Sequence, residues 1–203
     1  MVVIHENKGL TDWVRTVADQ LAEAGYIAIA PDLLSGAAPH GGKTSDFPSE
    51  DAATKAIYAL APDQVTADLQ AVADYVTKLP AANGKVVVAG FCWGGSQSFR
   101  MPTNNTDLKA AFVFYGTGPD EAGISKINCP VYGFYGGNDA RVDATIPKSA
   151  EQMKKAGKTY EPVTYEGAGH GFMRSGEEPN AQAANKRARA DAWQRWLDLL
   201  KKI

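Results

Sequence analysis

Cys92 stands in the run Gly90-Phe91-Cys92-Trp93-Gly94-Gly95, after an apolar run that reads as a strand and before a segment of helical period. A glycine–x–nucleophile–x–glycine turn between strand and helix lifts the central side chain clear on strained backbone. Glycines at 90 and 94 remove the side chains that would clash there. The helix that follows aims its N-terminus at the sulfur, which favours thiolate. A free thiol, pKa ~8.5, is only a few per cent ionised at neutral pH, so that help matters for a nucleophile. A cysteine at such a turn is equally well read as a small buried hydrophobe, and its partners decide between the two.

Asp139 closes Gly136-Gly137-Asn138-Asp139, directly after an apolar run at 131–135. His170 lies in Gly167-Ala168-Gly169-His170-Gly171, directly after the run Tyr160–Tyr165. Both fall at C-terminal ends of expected strands, where open parallel sheets bind ligands. The chain order nucleophile, acid, histidine is that of α/β-hydrolases, with Cys92 attacking, His170 as base and Asp139 orienting it. Asp143 and Glu166 are the competing acids, and neither sits as directly at a strand end within a glycine-rich turn.

The elements that must carry these residues alternate along the chain. Short β-rich runs are expected at Val2–Ile4, 26–30, 85–89, 110–115, 131–135 and Tyr160–Tyr165. Helical spacing marks 11–24, with Thr11 as N-cap and Gly25 as stop, then 63–79, a short helix that Pro102 ends, 146–156 and 180–200. Residues 35–50, rich in Gly, Pro, Ser and Ala, read as a long loop. Strands apolar on both faces, alternating with helices, predict one α/β domain over 1–203, a mostly parallel sheet with helices on both faces. The β run at the very first residues reads as a sheet whose first strands are absent.

Composition narrows the function classes. The 203 residues are 44% hydrophobic and 22% charged, with 21 Lys plus Arg against 23 Asp plus Glu. No run of like charge points to nucleic acid or an anionic membrane. No stretch has membrane-spanning length, and no signal peptide is visible, so a cytoplasmic protein is expected. Two cysteines, Cys92 and Cys129, are too few for a disulfide framework. Position 9 is Gly, so His5-Glu6 does not open a zinc helix, and no metal or cofactor is called for. The stretch 37–44 fails as a phosphate loop because Ala replaces its first Gly. Ser96 and Ser98 fall inside the helix after the turn, and Trp193 and Trp196 read as packing.

Nearly the whole chain resembles the dienelactone hydrolases (carboxymethylenebutenolidases). The resemblance rests on Ile4-His5-Glu6-Asn7, Ala30-Pro31-Asp32-Leu33, the turn around Cys92, Tyr115-Gly116, Gly137-Asn138-Asp139 and Gly169-His170-Gly171-Phe172. It implies the α/β-hydrolase fold and cleavage of a small ester or lactone. It also implies that Glu6 accepts the resting thiol's hydrogen bond until substrate displaces it, and that the N–H groups of Asn7 and Trp93 form the oxyanion hole. Arg174 matches the residue that pairs with a substrate carboxylate, with Tyr115 and Phe172 shaping the pocket. A second arginine of that family has no counterpart, since residues 46–62 contain Lys55 and no Arg.

Two other readings compete. One makes Cys92 a peroxide-reactive thiol, with Cys129 as the only available resolving cysteine. The other makes the chain an impaired, truncated relative. A monomer or weak homodimer is expected.

Overall fold

The computed structural model describes all residues, 1–203. Five strands form one sheet in chain order: β1 (Val2–Ile4), β2 (Val88–Phe91), β3 (Ala111–Phe114), β4 (Val131–Gly136) and β5 (Tyr160–Tyr165). Every neighbouring pair is parallel. Parallel neighbours need crossovers, and helices supply them. Between β1 and β2 run α1 (Asp12–Glu23), α2 (Glu50–Ala59) and α3 (Pro62–Thr77), and between β2 and β3 runs α4 (Trp93–Arg100). Then come α5 (Glu121–Ile124) before β4, α6 (Ala140–Asp143) and α7 (Ile146–Lys155) before β5, and α8 (Phe172–Ser175) and α9 (Ala183–Leu200) at the end.

Alternation along the strands sends side chains to two separate cores. Val3, Phe91, Phe112, Phe114 and Phe134 pack with Val14, Val17 and Leu21 of α1 and with Ala188, Ala192 and Trp196 of α9. Val2, Ile4, Val88, Val113 and Val131 pack on the other face with Val65, Leu69 and Ala73 of α3, Phe99 of α4 and Met153 of α7. This is the α/β-hydrolase arrangement, with helices burying both faces of the sheet.

Three expectations change in detail. The run at 26–30 is not a full strand: Ile29 makes an isolated parallel bridge to Val2. Its N–H reaches Met1 O at 2.9 Å, and Val3 N–H reaches its carbonyl at 2.8 Å. Pro31 has no N–H and restricts Ala30, so the ladder ends there. The run expected at 85–89 pairs later, over Val88–Phe91, because its neighbours begin opposite Val88, β1 at Val2 and β3 at Ala111. The loop expected at 35–50 holds as far as Ser49, with short 3-10 turns at Pro39–Gly41 and Thr44–Asp46, but α2 follows it where no helix was expected, its first turn capped by Ser49 accepting from Ala52 N–H at 3.2 Å.

Candidate active site

Cys92 sits at the join of β2 and α4 with φ 56° and ψ −115°, a conformation disfavoured for a side-chain-bearing residue. The flanking glycines are required for space. A Cβ on Gly90 would lie 2.0 Å from Gly94 O, and one on Gly94 would lie 2.3 Å from His5 O. The first turn of α4 thus packs directly on the backbone of β2 and of the loop after β1. Tyr115, just past β3, also takes positive φ, 42°.

Asp139 follows β4 and caps α6, accepting from Val142 N–H through Oδ1 at 3.4 Å. Its other oxygen accepts from His170 Nδ1, and His170 Nε2 lies 3.1 Å from Cys92 Sγ. The two loops are stitched together: Asn138 N–H donates to Ala168 O at 2.9 Å, and Asn138 Nδ2 donates to Gly167 O at 3.0 Å. Asn185 on α9 accepts from Gly169 N–H at 2.9 Å, and the Tyr115 ring meets His170 edge-on at 5.0 Å. The hydrogen bond to Cys92 is the largest influence on the imidazole. With support from Asp139 it outweighs burial and pushes the His170 pKa up to about 9. The sulfur therefore faces a ring that favours holding a proton.

Glu6 is placed differently from expectation. Its buried carboxylate accepts from Arg174 Nε at 3.1 Å, and the thiol pairs with His170 instead. A buried carboxylate needs a strong partner, and a guanidinium satisfies it better than a weak S–H donor. Arg174, expected to face a substrate carboxylate, is occupied by Glu6 and by Glu178 at 3.7 Å.

His5, fully buried, holds the loop that carries Glu6 and Asn7. Nδ1 donates to Glu6 O at 2.7 Å, and Nε2 accepts from Leu33 N–H at 3.3 Å. Burial is the main cause of its lowered pKa, which keeps the ring neutral and suits that pair of bonds. The His5 ring also stacks on Trp93, centroids 5.7 Å apart. Ile4-His5-Glu6-Asn7 and Ala30-Pro31-Asp32-Leu33 are thus joined in space by one imidazole. The N–H groups of Asn7 and Trp93 donate to no protein acceptor.

A cavity of about 180 Å³ opens beside the sulfur, lined by Cys92, Trp93, Tyr115, Ser96 and Thr117, with Tyr58 of α2 and Arg141 and Val142 of α6. Phe172 does not reach it: fully buried, it packs behind Tyr115 with ring centroids 5.5 Å apart, so its contribution is support. Tyr58, Thr117 and Arg141 were not read from the sequence. For Arg141 a signal existed, two positions beyond an acid at a strand end. A second hollow of about 180 Å³, lined by Met1, Tyr26, Val76 and Leu200 among others, sits by the N-terminal ends of β1 and β2 and is lined by no Cys, Ser, Thr or His. No cluster of three or more His, Cys, Asp or Glu is placed to hold a metal ion. No helix is long and apolar enough to cross a membrane. Cys129 precedes β4, at the opposite end of the sheet from Cys92, and burial pushes its thiol up to about 11, a poor placement for a resolving cysteine.

The family model of the dienelactone hydrolase family matches residues 1–203. The chain belongs to the dienelactone hydrolase family. Within that family, it is 30% identical over 213 residues to a protein of Escherichia coli (strain K12) assigned as a carboxymethylenebutenolidase, covering 99% of this chain and 76% of that one. A crystal structure of a protein from Klebsiella pneumoniae, assigned as a dienelactone hydrolase, superposes with TM-score 0.82 at 29% identity, over 97% of this chain and 84% of the other. A dienelactone hydrolase-like promiscuous phosphotriesterase from metagenomic libraries shares the fold, with TM-score 0.80 at 24% identity over 99% of this chain and 84% of its own. This dienelactone hydrolase-family protein is accordingly a hydrolase with the α/β-hydrolase fold.

Proposed function

We propose that the protein hydrolyses carboxylic esters or lactones through a thioester on Cys92. The observation that carries this reading is the sulfur 3.1 Å from an imidazole nitrogen whose other nitrogen bonds a buried carboxylate, all beside a cavity. Thiolate attacks the carbonyl carbon and the carbonyl electron pair moves to oxygen, where the N–H groups of Asn7 and Trp93 receive it. The tetrahedral adduct collapses, the C–O bond breaks, and the leaving alkoxide or enolate takes the proton from His170 Nε2. Neutral His170 then takes a proton from water as the oxygen adds to the thioester. Collapse of the second adduct expels thiolate, releases the acid and leaves the imidazolium in place. Thiolate is itself a good leaving group, so forward collapse is favoured for aryl esters and enol lactones.

The test is hydrolysis of 4-nitrophenyl butyrate by the protein and by Cys92→Ala, with intact-mass detection of an acyl adduct. Wild type is expected to turn over and to carry the adduct at early times. A Cys92→Ala variant as active as wild type sinks the reading.

A further inference from the structure

In the proposed reaction the N–H groups of Asn7 and Trp93 receive the oxyanion, and one side chain touches the mounts of both. Strands β1 and β2 pair as far as Ile4 opposite Gly90, so the loops that follow them are neighbours. His5 is the first residue of the loop after β1 and is fully buried. Its Nδ1 donates to Glu6 O at 2.7 Å while its Nε2 accepts from Leu33 N–H at 3.3 Å, and the two bonds together fix the tautomer. The Asp32 carboxylate does not draw that proton away, being satisfied by Leu34 N–H, Thr44 N–H and the Thr44 hydroxyl.

Glu6 C=O and Asn7 N–H belong to one peptide unit. That unit is planar and trans, so its carbonyl and its N–H point in opposite directions. A bond that turns Glu6 O towards the imidazole thereby turns Asn7 N–H away from it. Gly9 N–H reaches the same oxygen at 3.3 Å, a longer and weaker second hold. On the other side the His5 ring stacks on Trp93, and the His5 carbonyl is what a Cβ on Gly94 would strike. We propose that His5 is a positioning residue for acyl transfer, setting through Glu6 O the direction in which Asn7 N–H meets the oxyanion. The inference rests on the reading of Cys92 as nucleophile and of the two N–H groups as oxyanion donors. Polarisation adds to position, because a carbonyl that accepts a hydrogen bond leaves the N–H of its amide a stronger donor. An oxyanion donor acts in the transition state far more than on the bound ester, so His5 governs kcat rather than KM. The pairing of the sulfur with His170 uses none of these bonds. Reactions of Cys92 that develop no oxyanion are therefore indifferent to His5.

The experiment compares two reactions of one sulfur. Hydrolysis of 4-nitrophenyl butyrate passes through an oxyanion, whereas alkylation by iodoacetamide displaces iodide at a saturated carbon and does not. His5→Phe keeps an aromatic ring beside Trp93 and has no donor for Glu6 O. It should lower kcat about thirtyfold, with KM and the alkylation rate within about twofold of wild type. His5→Asn offers Nδ2 where Nδ1 stood and should recover kcat to within about fivefold of wild type. His5→Leu is a second variant without the donor and replaces His5→Phe if a thermal melt shows the latter unfolded. An unchanged kcat without the donor, hydrolysis and alkylation slowed by one factor, or His5→Asn no faster than the donor-free variant each overturns the inference with the nucleophile reading intact. Hydrolysis at undiminished rate by Cys92→Ala removes the nucleophile reading itself, and this inference with it.

Discussion

Glu6 accepts from Arg174 at 3.1 Å across 168 positions of sequence, and this pairing leaves the sulfur of Cys92 to His170. The two arrangements available to the thiol differ in chemistry. Beside a carboxylate it is held protonated, whereas beside a ring that favours its proton it is available as thiolate. Alkylation of Cys92 by iodoacetamide at pH 7, followed by intact mass, separates them, since Cys129 is buried. Glu6→Gln should alter the rate by less than about threefold, because the resting thiol does not bond Glu6. His170→Asn should slow it by about tenfold or more, because the imidazole that pairs with the sulfur is gone. A marked acceleration in Glu6→Gln would mean that the carboxylate restrains the sulfur after all.

The glycine pattern around the nucleophile makes a prediction about stability. A methyl on Gly94 meets His5 O at 2.3 Å and Ile4 O at 2.5 Å, both backbone atoms with no rotamer to escape into. Helix α4 must then move off the sheet, and Gly94→Ala should cost about 2 kcal/mol or more, a fall in Tm of roughly 5–10 °C. Gly169→Ala is the control, since its Cβ meets only Asn185 Oδ1 at 4.0 Å. Its Tm should stay within about 2 °C of wild type, as for a substitution that creates neither overlap nor cavity. Equal losses in the two variants, by thermal melt, would show that clearance is not what these positions require.

What could be read from residues alone follows the range over which each feature is determined. The turn around Cys92, the acid after β4 and the histidine after β5 are local patterns, and all three side chains meet in the structure. The strands were legible because Val88–Phe91 and Ala111–Phe114 are apolar at every position and buried on both faces. Helix α2 was hidden because only Ala53 and Ile57 of its ten residues are buried, too few to mark a stripe. The edge segment around Ile29 looked like a strand because β propensity says nothing about how many ladder bonds a neighbour of three residues can offer. The partner of Glu6 was the hardest to foresee. It depends on a competition between a thiol and a guanidinium brought together only by the tertiary fold.

The His170 pKa ties the site to the stability of the whole molecule. Folding raises it from an ordinary 6.5 to about 9, with the Cys92 hydrogen bond as the first cause and Asp139 adding to it. Below pH 6.5 folded and unfolded states both hold the proton, so the stabilisation from the charged ring is present in full. Between 6.5 and 9 the folded state alone holds it, and the contribution declines as pH rises, to vanish above the folded value. The ring is a third exposed, so solvent screening keeps the effect small. Tm measured from pH 6 to pH 10 for wild type and His170→Asn isolates it, since every other titrating group is common to both. The difference between the two curves should be level at the acid end, narrow across the window from 6.5 to about 9, and be flat beyond it. A difference that widens with rising pH would reverse the sign and place a neutral imidazole beside the sulfur.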